Sequence, residues 1–250
     1  MHNMKILGII PARYASTRFP GKPMAVIGGK TMIRRVYDQA CKARGLTNVV
    51  VATDDQRIFD EVVNHGGKAM MTSANHLNGT ERCEEVMQKS DEQYDYAINI
   101  QGDEPFIQPE MIDQLAAILD GETQLGTLVK KVEDPASLDN PNTIKVTFSR
   151  HMKALYFSRS CIPFLRGGDP GDRLRVHDYY KHIGIYAYRA DILKEITRLP
   201  AGSLETAESL EQLRWLENGY QIVVAETKYE SHGVDVPEDL ERIKKLIKNG

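Results

Sequence analysis

An α/β fold, with a mainly parallel sheet covered by helices on both faces, is what this sequence predicts. Short apolar runs alternate with helix-length stretches through the first half of the 250 residues. The residues that carry chemistry cluster where those runs end, which is where ligands sit in such sheets.

The elements follow in order. KILGIIPA (residues 5–12) reads as a strand and TMIRRVYDQACKAR (31–44) as a helix closed by Gly45. NVVVATD (48–54) is a second strand, DQRIFDEVVNHG (55–66) a helix, and KAMMTS (68–73) a short third strand. GTERCEEVMQKS (79–90) is a helix that Thr80 can cap, followed by strand YAINIQGD (96–103) and helix PEMIDQLAAIL (109–119). The grammar then changes. GTLVKKV (126–132), TIKVTFS (143–149) and KALYFSR (153–159) have no helices between them and suggest an antiparallel excursion. RGGDPGDRLRVHD (166–178) reads as a mobile loop or lid. HIGIYAYRA (182–190) returns as a strand, and SLETAESLEQLRWLENG (203–219) reads as one helix with Ser203 as N-cap and Gly219 as its stop. YQIVVAET (220–227) is a strand and VPEDLERIKKLIK (236–248) a closing helix with Pro237 in its first turn. A single domain over 1–250 is expected, with 126–190 as an antiparallel insertion.

A hydrophobic fraction of 41% and a charged fraction of 27% are ordinary for a globular protein, and a net charge of −3 argues against a dedicated nucleic-acid binder. The charge is unevenly spread: residues 1–37 hold seven Lys or Arg and no acid, the first being Asp38. A basic segment on an acidic body suggests a local anion site. Cys41, Cys83 and Cys161 are widely spaced and form no zinc motif, so reduced thiols are expected. The opening run ILGII is too short for a signal or a membrane span, and a soluble cytoplasmic protein is expected.

Three stretches carry the chemistry. ARYASTRFPGKP (12–23) resembles a broken phosphate loop: Gly21-Lys22 is present, but Ser16 replaces the first Gly and Pro23 the magnesium-binding Ser/Thr. Arg13, Arg18 and Lys22, with Ser16 and Thr17 as hydroxyl donors, still suit a polyanion. In INIQGDEPFI, Asp103 stands at a strand's carboxyl end after Gln101, and in SHGVDVPEDL, Asp235 precedes a helix. Two strand-end aspartates suit Mg²⁺, which takes one or two carboxylates and otherwise water and phosphate. A turn or cap explains Asp235 equally well. NGTER (78–82) offers Gly79 for close backbone approach, Thr80 and the cation Arg82, with a plain helix start as the simpler reading. Thr53-Asp54-Asp55 reads as a helix cap. His182 and Tyr186 fall on one face of a strand by the period of two. Glu205 and Glu208 read as solvated, whereas Glu211-Gln212 is free to turn toward a polyol.

Together the blocks IIPARYASTRFPGKP, VATDD, NGTER, INIQGDEPFI, ALYFSR, KHIGIYAYR, LEQLR and GVDVPEDLERI, spanning residues 9–243, resemble the 3-deoxy-manno-octulosonate (Kdo) cytidylyltransferases. The resemblance implies a Rossmann-like nucleotide-diphospho-sugar transferase fold. It also implies transfer of CMP from CTP to Kdo, giving CMP-Kdo and pyrophosphate for lipopolysaccharide biosynthesis. Arg13, Ser16, Arg18 and Lys22 would hold the triphosphate. Gln101, Thr80 and Arg82, with backbone near Pro11, Ala12 and Gly79, would hold the nucleoside. Asp103 and Asp235 would bind Mg²⁺. Arg159 would meet the sugar carboxylate, and His182, Tyr186, Glu211 and Gln212 its hydroxyls. Lys22, Arg13, Arg18, Asp103 and Asp235 would form the catalytic set. A homodimer contacting through 126–190 is implied. Asn78, Lys181 and Val236 depart from the family's usual residues, and the changes near His182 and in the 166–178 loop leave room for a modified octulosonate. An acylneuraminate-type sugar acid, a sugar 1-phosphate, or a binding module without catalysis are the rival readings.

Overall fold

The computed structural model describes residues 4–15, 19–167, 170–230, 233–234 and 236–240. Ser16, Thr17, Arg18 and Asp235 therefore lie outside the described residues, as does the closing helix beyond residue 240. The chain forms two compact units, Met1–Ala116 with Ser231–Gly250, and Ala117–Glu230. The fold is α/β. The stretch 126–190 falls inside the second unit.

In the first unit, β1 (Ile6–Ala12), β2 (Asn48–Thr53), β3 (Ala69–Met71) and β4 (Tyr96–Asn99) form a parallel sheet in the order β4-β1-β2-β3. Ile9 pairs with Val50 on one side and Asn99 on the other. Ile9 and Ile10 are both fully buried, so side chains on both faces of β1 are covered, and that explains an apolar run without alternation. Helix α1 (Met32–Ala40) buries Met32, Ile33, Val36 and Ala40, a stripe at helical spacing. It ends four residues before the expected Arg44, and Ala43 turns back to Ala40 by a backbone bond of 3.1 Å. Helix α2 (Gln56–Asn64) is capped by Asp55 as expected, the side chain accepting from Arg57 N.

Helix α3 (Gly79–Lys89) is capped by Asn78, whose Oδ1 accepts from Glu81 N at 2.8 Å. Thr80 thus lies inside the first turn and is buried, which corrects its expected role as cap. Helix α4 (Pro109–Ala116) buries Met111, Ile112 and Leu115.

The second unit is a mixed sheet of β5 (Leu125–Lys131), β6 (Lys145–Phe148), β7 (Ala154–Ser158), β8 (Tyr180–Arg189) and β9 (Ile222–Glu226). Strand β5 lies between β9, parallel, and β8, antiparallel. Two of the three strands expected in the excursion, β6 and β7, pair antiparallel with Lys145 opposite Ser158, and β6 also pairs with β8, whereas β5 pairs with β8 and β9 and with neither of them. A helical turn, Arg173–Val176, occupies part of the expected lid. Arg173 forks onto Asp139 at 2.9 and 2.6 Å, and Leu174 packs against the Val132, Leu138 and Tyr179 cluster.

The expected single helix over 203–219 is two, α5 (Ser203–Glu208) and α6 (Gln212–Glu217). The break is Ser209, which is left-handed at φ 52°, ψ 49°, a conformation that L side chains adopt at a cost of about 1–3 kcal/mol. The N-cap is Gly202 rather than Ser203, whose hydroxyl instead donates to Glu217 at 2.6 Å.

Candidate functional site

The carboxyl ends of β1 and β4 build the first cluster. Beyond β1 the chain reaches exposed Arg13, then Tyr14, whose carbonyl accepts from Gly21 N at 2.9 Å and so closes the basic loop at its neck. Gly21 adopts φ +71°, and a Cβ there would stand 3.0 Å from the Tyr14 hydroxyl, so the neck needs glycine. Lys22 and Pro23 then enter a short 3-10 turn over Lys22–Met24. Beyond β4, Gln101-Gly102-Asp103 turns against β1. A Cβ on Gly102 would lie 2.7 Å from the Pro11 carbonyl oxygen, so only glycine lets the two strand ends approach this closely.

One of the cations that has no acid near it in sequence, Lys22, finds one in the fold. Lys22 Nζ donates to Asp103 Oδ2 at 2.7 Å, across 81 positions, with side chains 15% and 32% exposed. Both groups therefore remain within reach of a ligand. Val234 N donates to the Asp103 carbonyl at 2.9 Å, and Val234 is buried with Ile27 and Met32, so the chain segment preceding Asp235 is fastened beside Asp103. Asp103 supplies hard oxygen donors of the kind that a small divalent cation takes.

Start of α3 and end of β1 also meet. A Cβ on Gly79 would stand 3.4 Å from Pro11 Cγ, in ordinary contact. Arg82 differs from expectation. It is fully buried, donating to Thr72 Oγ1 and, at 3.3 Å, to Asp54 Oδ2. Its guanidinium thus ties α3 to the ends of β2 and β3, and Asp54 is its partner rather than a cap.

The second unit holds the other predicted residues. The His182 and Tyr186 rings lie 5.1 Å apart, and the β5–β8 register shifts between Ile183 and Tyr186. Thr127 Oγ1 donates to the Ile185 carbonyl at 2.7 Å and lies 3.0 Å from His182 Nε2. A hydroxyl has one proton to give, so Nε2–H is assigned as donor to Thr127 and Nδ1 is left as acceptor. Tyr186 Oη is buried and makes no hydrogen bond among the described residues, and burial pushes its phenol well above the ordinary value. Trp215 packs edge-on against Tyr186 at 5.1 Å and is a residue that sequence reasoning missed. Gln212 opens α6 and is buried, with half-buried Glu211 preceding it.

Arg159 is held tightly by backbone. Its guanidinium donates to the carbonyls of Glu208 at 2.6 Å, Pro141 at 3.0 Å and Ser209 at 3.2 Å. Those bonds use three of five N–H groups and stabilise the left-handed corner at Ser209. Glu205 and Glu208 are not solvated as expected. Glu205 takes Arg214 as a two-point fork at 2.6 Å, and Glu208 accepts from Ser158 Oγ and Arg159 N at 2.6 and 2.9 Å.

A cytidylyltransferase family model matches residues 7–226. The 3-deoxy-manno-octulosonate cytidylyltransferase of Cytophaga hutchinsonii is 56% identical over 242 residues, covering 96% of this chain and 97% of the relative. The chain belongs to the 3-deoxy-manno-octulosonate cytidylyltransferase family. The family's member in Bacteroides thetaiotaomicron is 55% identical across 98% of this chain and 99% of its own. A solved structure described as CMP:2-keto-3-deoxy-manno-octonic acid synthetase complexed with CTP superposes with a TM-score of 0.91 at 42% identity, covering 98% of this chain and 99% of that one. A Leptospira borgpetersenii cytidylyltransferase, 18% identical at a TM-score of 0.64 over 99% of this chain and 88% of that one, shares the fold.

In this member of the cytidylyltransferase family, burial pushes the His182 imidazole from its ordinary 6.5 down to about 3. The unfolded chain takes up a proton below about pH 6.5 that the folded imidazole refuses until far lower pH. His182 therefore withdraws stability as pH falls through that window. Urea midpoints measured at neutral pH and near pH 5 should fall more for the parent protein than for His182→Gln, and equal falls would refute the assignment.

Proposed function

We propose that this chain transfers CMP from CTP to 3-deoxy-D-manno-octulosonate, releasing pyrophosphate and activating the sugar for lipopolysaccharide assembly. The observation that carries the reading is likeness over the whole length, in sequence and fold, to proteins of that activity, one of them holding CTP. The residues suit the chemistry. The sugar's C2 hydroxyl attacks the α-phosphorus in line, and transfers of this kind need positioning and charge neutralisation more than covalent help.

Arg13 and Lys22, with Ser16 and Arg18 from the same loop, bind the triphosphate and draw off charge as pyrophosphate leaves. Gln101, Thr80, Gly79, Pro11 and Ala12 form the nucleoside's surroundings. Buried Arg82 serves this region by orienting α3 through Asp54 and Thr72. Mg²⁺ fits Asp103, because the Lys22 ammonium already stands at that carboxylate as a substitute cation, and Asp235 is the second expected ligand. When bound, the ion supplies Lewis-acid polarisation of phosphate and sugar oxygens.

Arg159 keeps two N–H groups beyond its carbonyl bonds for the sugar carboxylate. His182 Nδ1 accepts from a sugar hydroxyl, while Tyr186, Glu211 and Gln212 supply the remaining polar edges. No helix among the described residues is long and apolar enough to cross a membrane, and Cys41, Cys83 and Cys161 form no disulfide with one another. A cytoplasmic homodimer is the assembly we propose.

Pyrophosphate release tests the reading, with CTP and Mg²⁺ supplied beside Kdo, a modified octulosonate, N-acetylneuraminate or a hexose 1-phosphate. Release with Kdo alone is expected. Release with another sugar acid reassigns the acceptor, and nucleotide binding without release from any sugar would identify a binding module.

A further inference from the structure

The cap at the start of α2 does more than cap. Asp55 Oδ1 accepts from the Arg57 backbone N–H at 3.0 Å and from Arg57 Nε at 2.9 Å, while Oδ2 accepts from the guanidinium at 2.6 Å. One carboxylate thus closes the helix end and holds the guanidinium as a two-point fork, a geometry that fixes its plane. That plane lies over the Tyr14 ring, with Cζ 3.3 Å from the centroid. On the loop side, Tyr14 closes the neck through its carbonyl to Gly21 N, and its hydroxyl fills the space where a Cβ of Gly21 would be. Arg13 precedes Tyr14 and Lys22 follows Gly21, so the two cations flank the neck that Tyr14 closes.

We propose that Arg57, oriented by Asp55, is a positioning residue for nucleotide binding: stacked on Tyr14, it fixes the loop neck and thereby where Arg13 and Lys22 present their charge. The inference rests on the nucleotide reading of this loop. A simple surface ion pair does not account for the arrangement. Arg57 is 59% exposed, and exposed pairs contribute little to global stability, so losing the fork should leave the melting temperature unchanged while the stack on Tyr14 is lost.

The test is calorimetric titration of the full chain with CTP and Mg²⁺, alongside steady-state kinetics and thermal melts. Arg57→Ala should weaken CTP binding and raise the KM for CTP by about tenfold, the scale of a small misplacement of binding groups, with kcat and melting temperature held. Asp55→Asn keeps a capping oxygen but loses the ionic fork, and should shift the KM in the same direction. Because stack and neck act as one unit, Arg57→Ala combined with Tyr14→Ala should bind CTP no worse than Tyr14→Ala alone. Unchanged CTP affinity in Arg57→Ala, additive losses in the double variant, or a joint fall of kcat and melting temperature each overturn the proposal. Failure of the parent protein to bind CTP overturns the nucleotide reading and this inference with it. Normal binding by the parent and by Arg57→Ala overturns this inference alone.

Discussion

Asp103→Asn and Lys22→Ala are each expected to lower turnover by at least about a hundredfold while the protein still folds, the loss typical of one preorganised charge contact at a transition state. The reasoning starts from the 2.7 Å bond between them. Asparagine keeps the shape of Asp103 but surrenders the charge that attracts both the Lys22 ammonium and a divalent cation. Alanine at 22 removes the cation that neutralises the leaving pyrophosphate. Neither change strands a buried charge, because the partners are 15% and 32% exposed and the survivor reaches water. Melting temperatures should therefore stay near the parent value while pyrophosphate release collapses. Near-parent turnover in either variant, with folding intact, removes the basic loop and Asp103 from the chemistry.

The second large effect is on stability. Lys145 is fully buried on β6, and its ammonium donates to the carbonyls of Asn140 at 3.0 Å, Thr143 at 2.7 Å and Arg159 at 2.5 Å. Burial pushes this ammonium down from its ordinary value, with nearby Cys161, Asp139 and Glu208 acting the other way. Methionine keeps the length and apolar stem but gives no proton, so three carbonyls lose a charged donor. Unmet buried acceptors cost about 1–3 kcal/mol each, and with partial relaxation the total for Lys145→Met is about 3 kcal/mol. For a chain of this size the melting temperature should drop by about 6–12 °C. An unchanged melting curve shows that the cage of carbonyls finds other donors. Because one of those carbonyls belongs to Arg159, the KM for the sugar should rise as well.

How much of this was legible depends on how far apart in sequence the partners stand. The strands β1, β2 and β4 announced themselves because burial on both faces leaves an apolar run with nothing to confuse it. The Asp55 cap was readable for the same local reason: donor and acceptor lie two residues apart. Lys22 looked unopposed because its acid lies 81 positions away, and no local pattern carries that information. Arg82 read as a ligand-facing cation, yet Asp54 and Thr72 enclose it, and periodicity does not distinguish a paired buried arginine from an exposed one. Asn78 and Thr80 are both residue types that start helices, and neighbouring positions of similar chemistry leave the choice to the backbone path, which lets Asn78 Oδ1 accept from Glu81 N. The basic loop and Asp103 were marked by unopposed charge at strand ends and the roles of the second cluster came from the family blocks, whereas Trp215 and Lys145 carried no motif at all.

The corner at Ser209 has a consequence for how the chain reaches its native state. LETAESLEQLR is rich in good helix formers, and nothing in it asks for a break. As an isolated segment it favours one continuous helix, so local preference and final architecture disagree at this point. What resolves the disagreement is Arg159, which takes the carbonyls of Glu208 and Ser209 from a strand some fifty residues earlier. The bend is therefore held by a tertiary contact from the end of β7 rather than by its own sequence, and the placement of Glu211 and Gln212 depends on that contact.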